Sequence, residues 1–356
     1  MTDKRSWNLT KKAGAALLGN GSFGCVFAVR HELDKHEYAL KVINMKKLRM
    51  ERGMADNSEM LIEVQTLAKL QHGPYIARYV DAVEFPRPSK KKPIADFLII
   101  RLELCKGGTL EEELESYRRK GERMPIAIVR KFLAQIAEAF RFMAEKKIVH
   151  RDFKLDNVCL SGPEGDCRVV DLGFAREYGE SSSSENSKPG SSNTLFSPRG
   201  NKRYRSPEND GTTKVDHKDD MWALGLVLCE LLSGQSAKDI MDGDFAEFIP
   251  KYKEKLIGWI RDVANIDEDL GGIAQGLLLQ DPAKRFSAKQ VIAELVSIRE
   301  RTVTELPPPF LPVGWFEALL NVRVPPDLQT ALLVRIRFVV SSVFSNNILL
   351  SLSNLT

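Results

Sequence analysis

Asp152 and Asn157 stand five positions apart in the stretch 150–157 (HRDFKLDN), directly after the apolar pair Ile148 and Val149. On one short loop an Asp can accept a proton from a hydroxyl while an Asn holds a cation beside it. The spacing alone is common. It gains meaning from the order of the other segments: GNGSFGCV at 19–26 and YALK at 38–41 upstream, and VVDLG at 169–173 downstream. Gly19, Gly21 and Gly24 let backbone N–H groups approach phosphate oxygens with no side chain between. Lys41 is set among Ala39, Leu40, Val42 and Ile43, so its ammonium emerges from an apolar strand and needs an anionic partner. The run after Gly24 reads as a strand rather than a helix, which separates this glycine pattern from a dinucleotide-binding turn.

The elements that must position these residues follow from pattern. The apolar run 15–18 and the β-branched and aromatic stretches 25–30 and 38–43, with turn chemistry between them, predict three antiparallel strands. Met60, Val64 and Leu67 follow the capping-type pair Asp56 and Glu59, so 56–70 predicts a helix carrying Glu63. The stretch 85–93 (FPRPSKKKP) predicts a solvated hairpin tip ahead of the apolar run 97–100. A charged helix is expected over 110–120. Over 125–146, Val129, Phe132, Leu133, Ile136, Phe140 and Met143 recur at helical spacing and predict a core helix that delivers the 150–157 loop. Val169 and Val170 read as a buried strand, and 219–234 as an apolar helix with an acidic start.

Composition bounds the partners. With 52 basic and 48 acidic residues in 356, the formal net charge of +4 argues for neither nucleic acid nor a membrane surface. Cys25, Cys105, Cys159, Cys167 and Cys229 form no C-x-x-C or Cys/His cluster, so reduced, mostly buried thiols are expected rather than a zinc site or disulfides. The start of the chain has no apolar stretch of signal-peptide length, which points to a cytoplasmic or nuclear setting. Beyond residue 306 prolines interrupt any helix. The apolar part of 331–352 is shorter than the ~20 residues a spanning helix needs.

With GNKRYRSPE at 200–208 and DPAKRF at 281–286, the ordered segments resemble the eukaryotic protein kinases over about residues 16–296. The resemblance implies an α+β, two-lobed protein-kinase-like fold. A small β-rich N-lobe with one major helix would occupy 12–103 and a larger, mainly helical C-lobe 104–305, with a flank at 1–11 and an extension of unknown role at 306–356. It further implies that ATP and magnesium bind in the cleft between lobes. Gly19, Asn20, Gly21, Ser22, Gly24, Val26 and Ala39 would surround the nucleotide, and Lys41, paired with Glu63, would hold its α- and β-phosphates. The backbone of Glu103 and Cys105 would meet adenine with Leu102 behind it, over Cys159, which stands where the family usually has Leu. Asp152 would accept or orient the substrate hydroxyl proton, Lys154 would meet the transferred phosphoryl group, and Asn157 and Asp171 would hold magnesium. Lys154, two residues after Asp152, is the serine/threonine form.

His150 is then a structural histidine. Arg151 calls for an anion, which in the family is often a phosphate on the 174–205 loop, placed by an upstream kinase or by autophosphorylation. Asp220 would tie down the catalytic-loop backbone, and Arg285 would pair with Glu208. The expected partner is a protein with a Ser or Thr acceptor. Two departures, Asn201 for a common Thr and Leu172 for Phe, motivate the alternative of a weak or inactive kinase-like scaffold that binds nucleotide or protein partners.

Overall fold

The computed structural model describes residues 16–21, 24–52, 58–86, 95–178, 200–209, 215–240 and 250–305. Alternating apolar residues over the first hundred positions form a five-stranded antiparallel sheet. Its strands are β1 (Ala16–Gly21), β2 (Gly24–Arg30), β3 (Glu37–Asn44), β4 (Tyr79–Pro86) and β5 (Ala95–Glu103), in the spatial order β1-β2-β3-β5-β4. The first three match the three strands expected from the sequence. Lys41 lies on the central strand, opposite Val26 on one side and Ile100 on the other.

Two helices follow β3. The first, α1 (Met45–Arg52), was not anticipated: Asn44 ends the strand and its Oδ1 accepts the Lys47 N–H at 2.9 Å, an N-cap that starts the turn. Met45 and Leu48 are its buried side chains. The second, α2 (Ser58–Lys69), is the expected helix with Glu63 on it; Asp56 lies outside the described residues.

The C-lobe is built on helices. In α3 (Leu110–Lys120), Thr109 and Glu112 close a reciprocal capping box, and Gly121 ends the helix in the left-handed region. The stripe expected on α4 (Ile126–Glu145) is buried. Helix α5 (His217–Ser233) is buried almost along its whole length, against α6 (Ala237–Ile240), α7 (Pro250–Ala264) and α8 (Glu268–Leu277); α9 (Ala288–Glu305) follows in the chain. Two small two-stranded sheets carry the chemistry-bearing loops. β6 (Ile148–Val149) pairs with β9 (Arg176–Glu177), and β7 (Val158–Ser161) with β8 (Asp166–Val169). Strand β8 therefore stops at Val169, and Val170 follows it. The chain divides into the units Met1–Val296 and Ser297–Thr356; of the second, the described residues are 297–305, the last turns of α9. Among the described residues no helix is long and apolar enough to cross a membrane.

Candidate active site

The catalytic-loop backbone is held from below by α5. Asp220 enters the first turn of that helix fully buried, and its two carboxylate oxygens accept the His150 N–H at 2.7 Å and the Arg151 N–H at 2.9 Å. Arg151 adopts φ +69°, a conformation that a side chain other than glycine holds only when its surroundings fix it. His150 is buried, and burial holds its pKa below the usual imidazole value, so the ring is neutral. Its Nε2 lies 3.0 Å from the Val170 carbonyl, while Nδ1 accepts the Asp152 N–H at 3.3 Å. The histidine thus ties the 150–157 loop to the strand end that leads into Asp171.

Asp152 sits where three supports converge. The Asn157 amide nitrogen donates to the Asp152 carbonyl at 2.6 Å and to its Oδ2 at 3.2 Å, and the Asn201 N–H donates to Oδ1 at 2.7 Å. Burial raises the Asp152 carboxyl; Lys154 and the Asn201 hydrogen bond pull it the other way. The Asn201 support comes from the backbone, and its side chain accepts the Arg203 N–H, so the departure from Thr leaves Asp152 with its donor. Gly200 makes this possible. It has φ +82°, and a Cβ there would fall 2.0 Å from the Arg151 carbonyl oxygen. Lys154 lies 3.4 Å from Asp156 in an ion pair beside Asp152.

Across the cleft, the Lys41 ammonium bridges two carboxylates, Glu63 Oε1 at 2.6 Å and Asp171 Oδ1 at 2.7 Å. Burial alone would lower the Lys41 pKa, yet the two anions leave it raised; the same Lys41 charge holds Asp171 below the ordinary carboxylate range. Leu172 is fully buried, so it fills an apolar position as expected of the residue after Asp171. The Val170 N–H donates to the Asn157 carbonyl at 3.0 Å, which links the two halves of the site.

At the far end, the linker after β5 runs along β7. Ala39 pairs with Leu102 across β3 and β5. The Glu103 N–H donates to the Arg78 carbonyl at 2.9 Å and is not available to a ligand. The Glu103 carboxylate, which the sequence reading did not use, accepts the Ser161 hydroxyl at 3.0 Å and Arg168 Nε at 3.3 Å, joining the linker to the β7 and β8 hairpin. Cys105 on the linker and Cys159 on β7 are, like Cys25, partly exposed, against the expectation of mostly buried thiols, while Cys167 and Cys229 are buried; the neighbouring Cys159 thiol and burial raise the Cys105 pKa. Gly19, Asn20 and Gly21 close β1, Gly24 opens β2, and Ser22 lies outside the described residues. Most of the serine-rich loop, 179–199, also lies outside them.

The donor set fits a hard divalent cation. Asp171 offers carboxylate oxygen, and with its nitrogen committed to Asp152, the Asn157 amide has its oxygen left to give. Among the described residues no cluster of three or more His, Cys, Asp or Glu could hold a metal alone.

A family model described as "Protein kinase domain" matches residues 14–296. Serine/threonine-protein kinase ATG1c of Arabidopsis thaliana is 30% identical over 221 residues, which cover 62% of this chain and 26% of that protein. Serine/threonine-protein kinase ULK1 of Homo sapiens is 31% identical over 231 residues, 62% of this chain and 19% of that protein. Serine/threonine-protein kinase Nek4 of Mus musculus is 31% identical over 227 residues, 64% and 25%. The chain spans about a quarter or less of the length of these relatives. A lysine shared between two carboxylates, an aspartate held beside an asparagine on a loop fixed from α5, and a family match across both lobes lead to one assignment: the chain belongs to the protein kinase family.

Proposed function

We propose that the chain transfers the γ-phosphate of ATP to Ser or Thr hydroxyls of protein substrates. The observation that carries the reading is the Lys41 ammonium lying within 2.7 Å of both Glu63 and Asp171, in a cleft that also holds Asp152 and Asn157. Phosphoryl transfer needs positioning and neutralisation of charge more than a strong nucleophile. Lys41, held in place by Glu63, meets the α- and β-phosphates. Gly19, Asn20, Gly21, Ser22, Gly24, Val26 and Ala39 enclose the nucleotide, and the linker at Glu103 and Cys105, with Cys159 opposite, receives the base. Asp171 and Asn157 would hold magnesium, which when bound would supply neutralisation of the phosphate charge. Asp152 orients the acceptor hydroxyl and takes its proton, and Lys154 steadies the phosphoryl group in passage.

The nucleotide and acceptor would meet between an N-lobe of 12–103 and a C-lobe of 104–305. Phosphate on the 174–205 loop, added by an upstream kinase or by autophosphorylation, and a cytoplasmic or nuclear setting complete the proposal. Against the scaffold alternative stands the backbone origin of the Asn201 support, which is indifferent to the Thr replacement. The test is transfer of labelled γ-phosphate to generic protein substrates by the wild-type chain and by Asp152→Asn. A fall of about 10²- to 10⁴-fold in the variant is expected, the usual range for a proton-transfer group, with magnesium-dependent thermal stabilisation by ATP retained. Equal background in both proteins would favour the scaffold.

A further inference from the structure

The segment that supports Asp152 is itself fixed at both ends. The Asn201 N–H donates to Asp152 Oδ1 at 2.7 Å, and Tyr204, three residues on, donates its hydroxyl to the Glu230 carboxylate, at 3.0 and 2.9 Å from its two oxygens. Between these anchors Lys202–Tyr204 forms a single helical turn, capped by the Asn201 side chain, which accepts the Arg203 N–H at 3.1 Å. Arg203 is partly buried, and among the described residues no hydrogen bond, ion pair or ring contact engages its guanidinium. The charges nearby are already matched. Three carboxylates act on the Tyr204 hydroxyl, and each has another partner: Glu230 accepts the Ala237 N–H at 2.7 Å, Glu111 pairs with Arg118 at 2.9 Å, and Asp156 pairs with Lys154 at 3.4 Å. Arg151 and Arg205 are buried, and they and Lys202 have contacts of their own. One positive charge is left over beside the acceptor position. A partly buried guanidinium has given up some of its hydration, and an incoming anion offsets that loss.

We propose that Arg203 reads an anionic side chain of the protein substrate, a carboxylate or a phosphorylated residue close to the Ser or Thr that accepts phosphate. The inference rests on the proposed transfer, because it takes Asp152 to mark where the acceptor hydroxyl lies. A substrate whose hydroxyl reaches Asp152 must pass the 200–204 segment, since the Asn201 N–H touches the same carboxylate. The guanidinium fork suits either anion, through two parallel N–H donors to two oxygens. Held in a capped turn two residues from Asn201, Arg203 is limited to substrate residues near the acceptor. Glu111 and Asp156 are occupied by their own cations and offer a basic substrate residue no comparable site. Acidic neighbours of the acceptor are therefore favoured and basic ones disfavoured.

The experiment measures transfer by the full chain, with ATP and magnesium, to peptides that share one Ser acceptor among alanines and carry Ala, Glu, phosphoserine or Lys at one flanking position at a time. At one or more of those positions Glu or phosphoserine should raise kcat/KM about 10-fold over Ala, the scale of a hydrogen bond to a charged group, and Lys should lower it. In Arg203→Ala the ratio of acidic to alanine peptide should collapse, and in Arg203→Glu the preference should turn toward Lys. A residue that only shaped the segment would slow every peptide alike. A preference for phosphoserine alone assigns the site to substrates phosphorylated beforehand, and a preference for Glu alone to acidic ones. Equal kcat/KM across the set, or an acidic preference that survives Arg203→Ala, would overturn the proposal. Should no peptide be phosphorylated above the Asp152→Asn background, the transfer reading fails by itself. Fluorescence anisotropy of the same peptides, labelled, then decides the site: tighter binding of the acidic ones to the wild-type chain than to Arg203→Ala supports it, and equal binding overturns it.

Discussion

Lys41 is the cation on which two of the site's carboxylates converge. It is the common partner of Glu63 and Asp171, and both carboxylates approach it from different elements, one from α2 and one from the turn after β8. Replacing it leaves two carboxylates facing each other with no cation between, in a place where phosphate would add further negative charge. Lys41→Met should therefore lower phosphoryl transfer by about 10²- to 10³-fold, the scale seen when one preorganised donor is removed, and should weaken ATP-dependent thermal stabilisation as well. Lys41→Arg keeps the charge but exchanges a compact ammonium for a wide planar fork, and should recover stability more than transfer. Full transfer activity in Lys41→Met would break the link between this lysine and the phosphates. Such residues were legible in the sequence because their meaning is local: a charged group in an apolar strand, or a fixed spacing on one loop. The Glu103 carboxylate was not, because Ser161 and Arg168 reach it from far along the chain and nothing near Glu103 announces them.

At the scale of elements, the same contrast recurs. Helix α4 was legible because its buried stripe is continuous, whereas β4 was not, since Asp81 and Glu84 interrupt its apolar alternation. The sheet order explains why those charges are tolerated: β4 is an edge strand, and Asp81 finds Arg101 on β5, with Arg101 Nε donating at 2.9 Å. Helix α1 is hard to read from sequence because, among its described side chains, Met45 and Leu48 are the buried ones. The segment 200–204 matters more for function, since it brings the Asn201 N–H to Asp152 only if Gly200 stays left-handed against the Arg151 carbonyl. Gly200→Ala combines an unfavourable φ with a Cβ placed inside contact distance. We expect a loss of about 1–3 kcal/mol in stability, the usual cost of such strain. Turnover should fall while KM for ATP stays near its wild-type value, because the displaced group faces the acceptor rather than the nucleotide. Steady-state kinetics separates the two constants, and a change confined to KM would refute the assignment.

Across the whole domain, buried charge ties the C-lobe together. Arg285 is fully buried and donates to both oxygens of Glu208, at 2.5 and 2.9 Å, and to the Lys218 and Leu279 carbonyls. Arg285→Ala would leave Glu208 unpaired, and a loss of about 3–5 kcal/mol in unfolding free energy is expected by urea titration. A second buried carboxylate makes stability depend on pH. Glu230 accepts the Tyr204 hydroxyl at 3.0 and 2.9 Å and the Ala237 N–H at 2.7 Å, yet burial pushes its pKa up to about 8. Asp220, on the same helix, is also pushed up to about 8 by burial. An unfolded glutamate releases its proton near pH ~4.3. Between that value and about 8 the folded state therefore binds a proton that the unfolded state has lost, so the stabilisation held at low pH declines as pH rises, by up to about 1.4 kcal/mol per pH unit for each such group. Glu230→Gln keeps an oxygen for Tyr204 and Ala237 but removes its own titration. Thermal unfolding measured from pH 5 to pH 8 should then show a shallower decline in the variant than in the wild type, with the remaining slope shared by Asp220 and the other carboxyls that burial raises, Asp219 and Asp152. Parallel slopes would mean that Glu230 is already ionised in the folded domain, held by Tyr204 and the α6 N–H rather than by a proton.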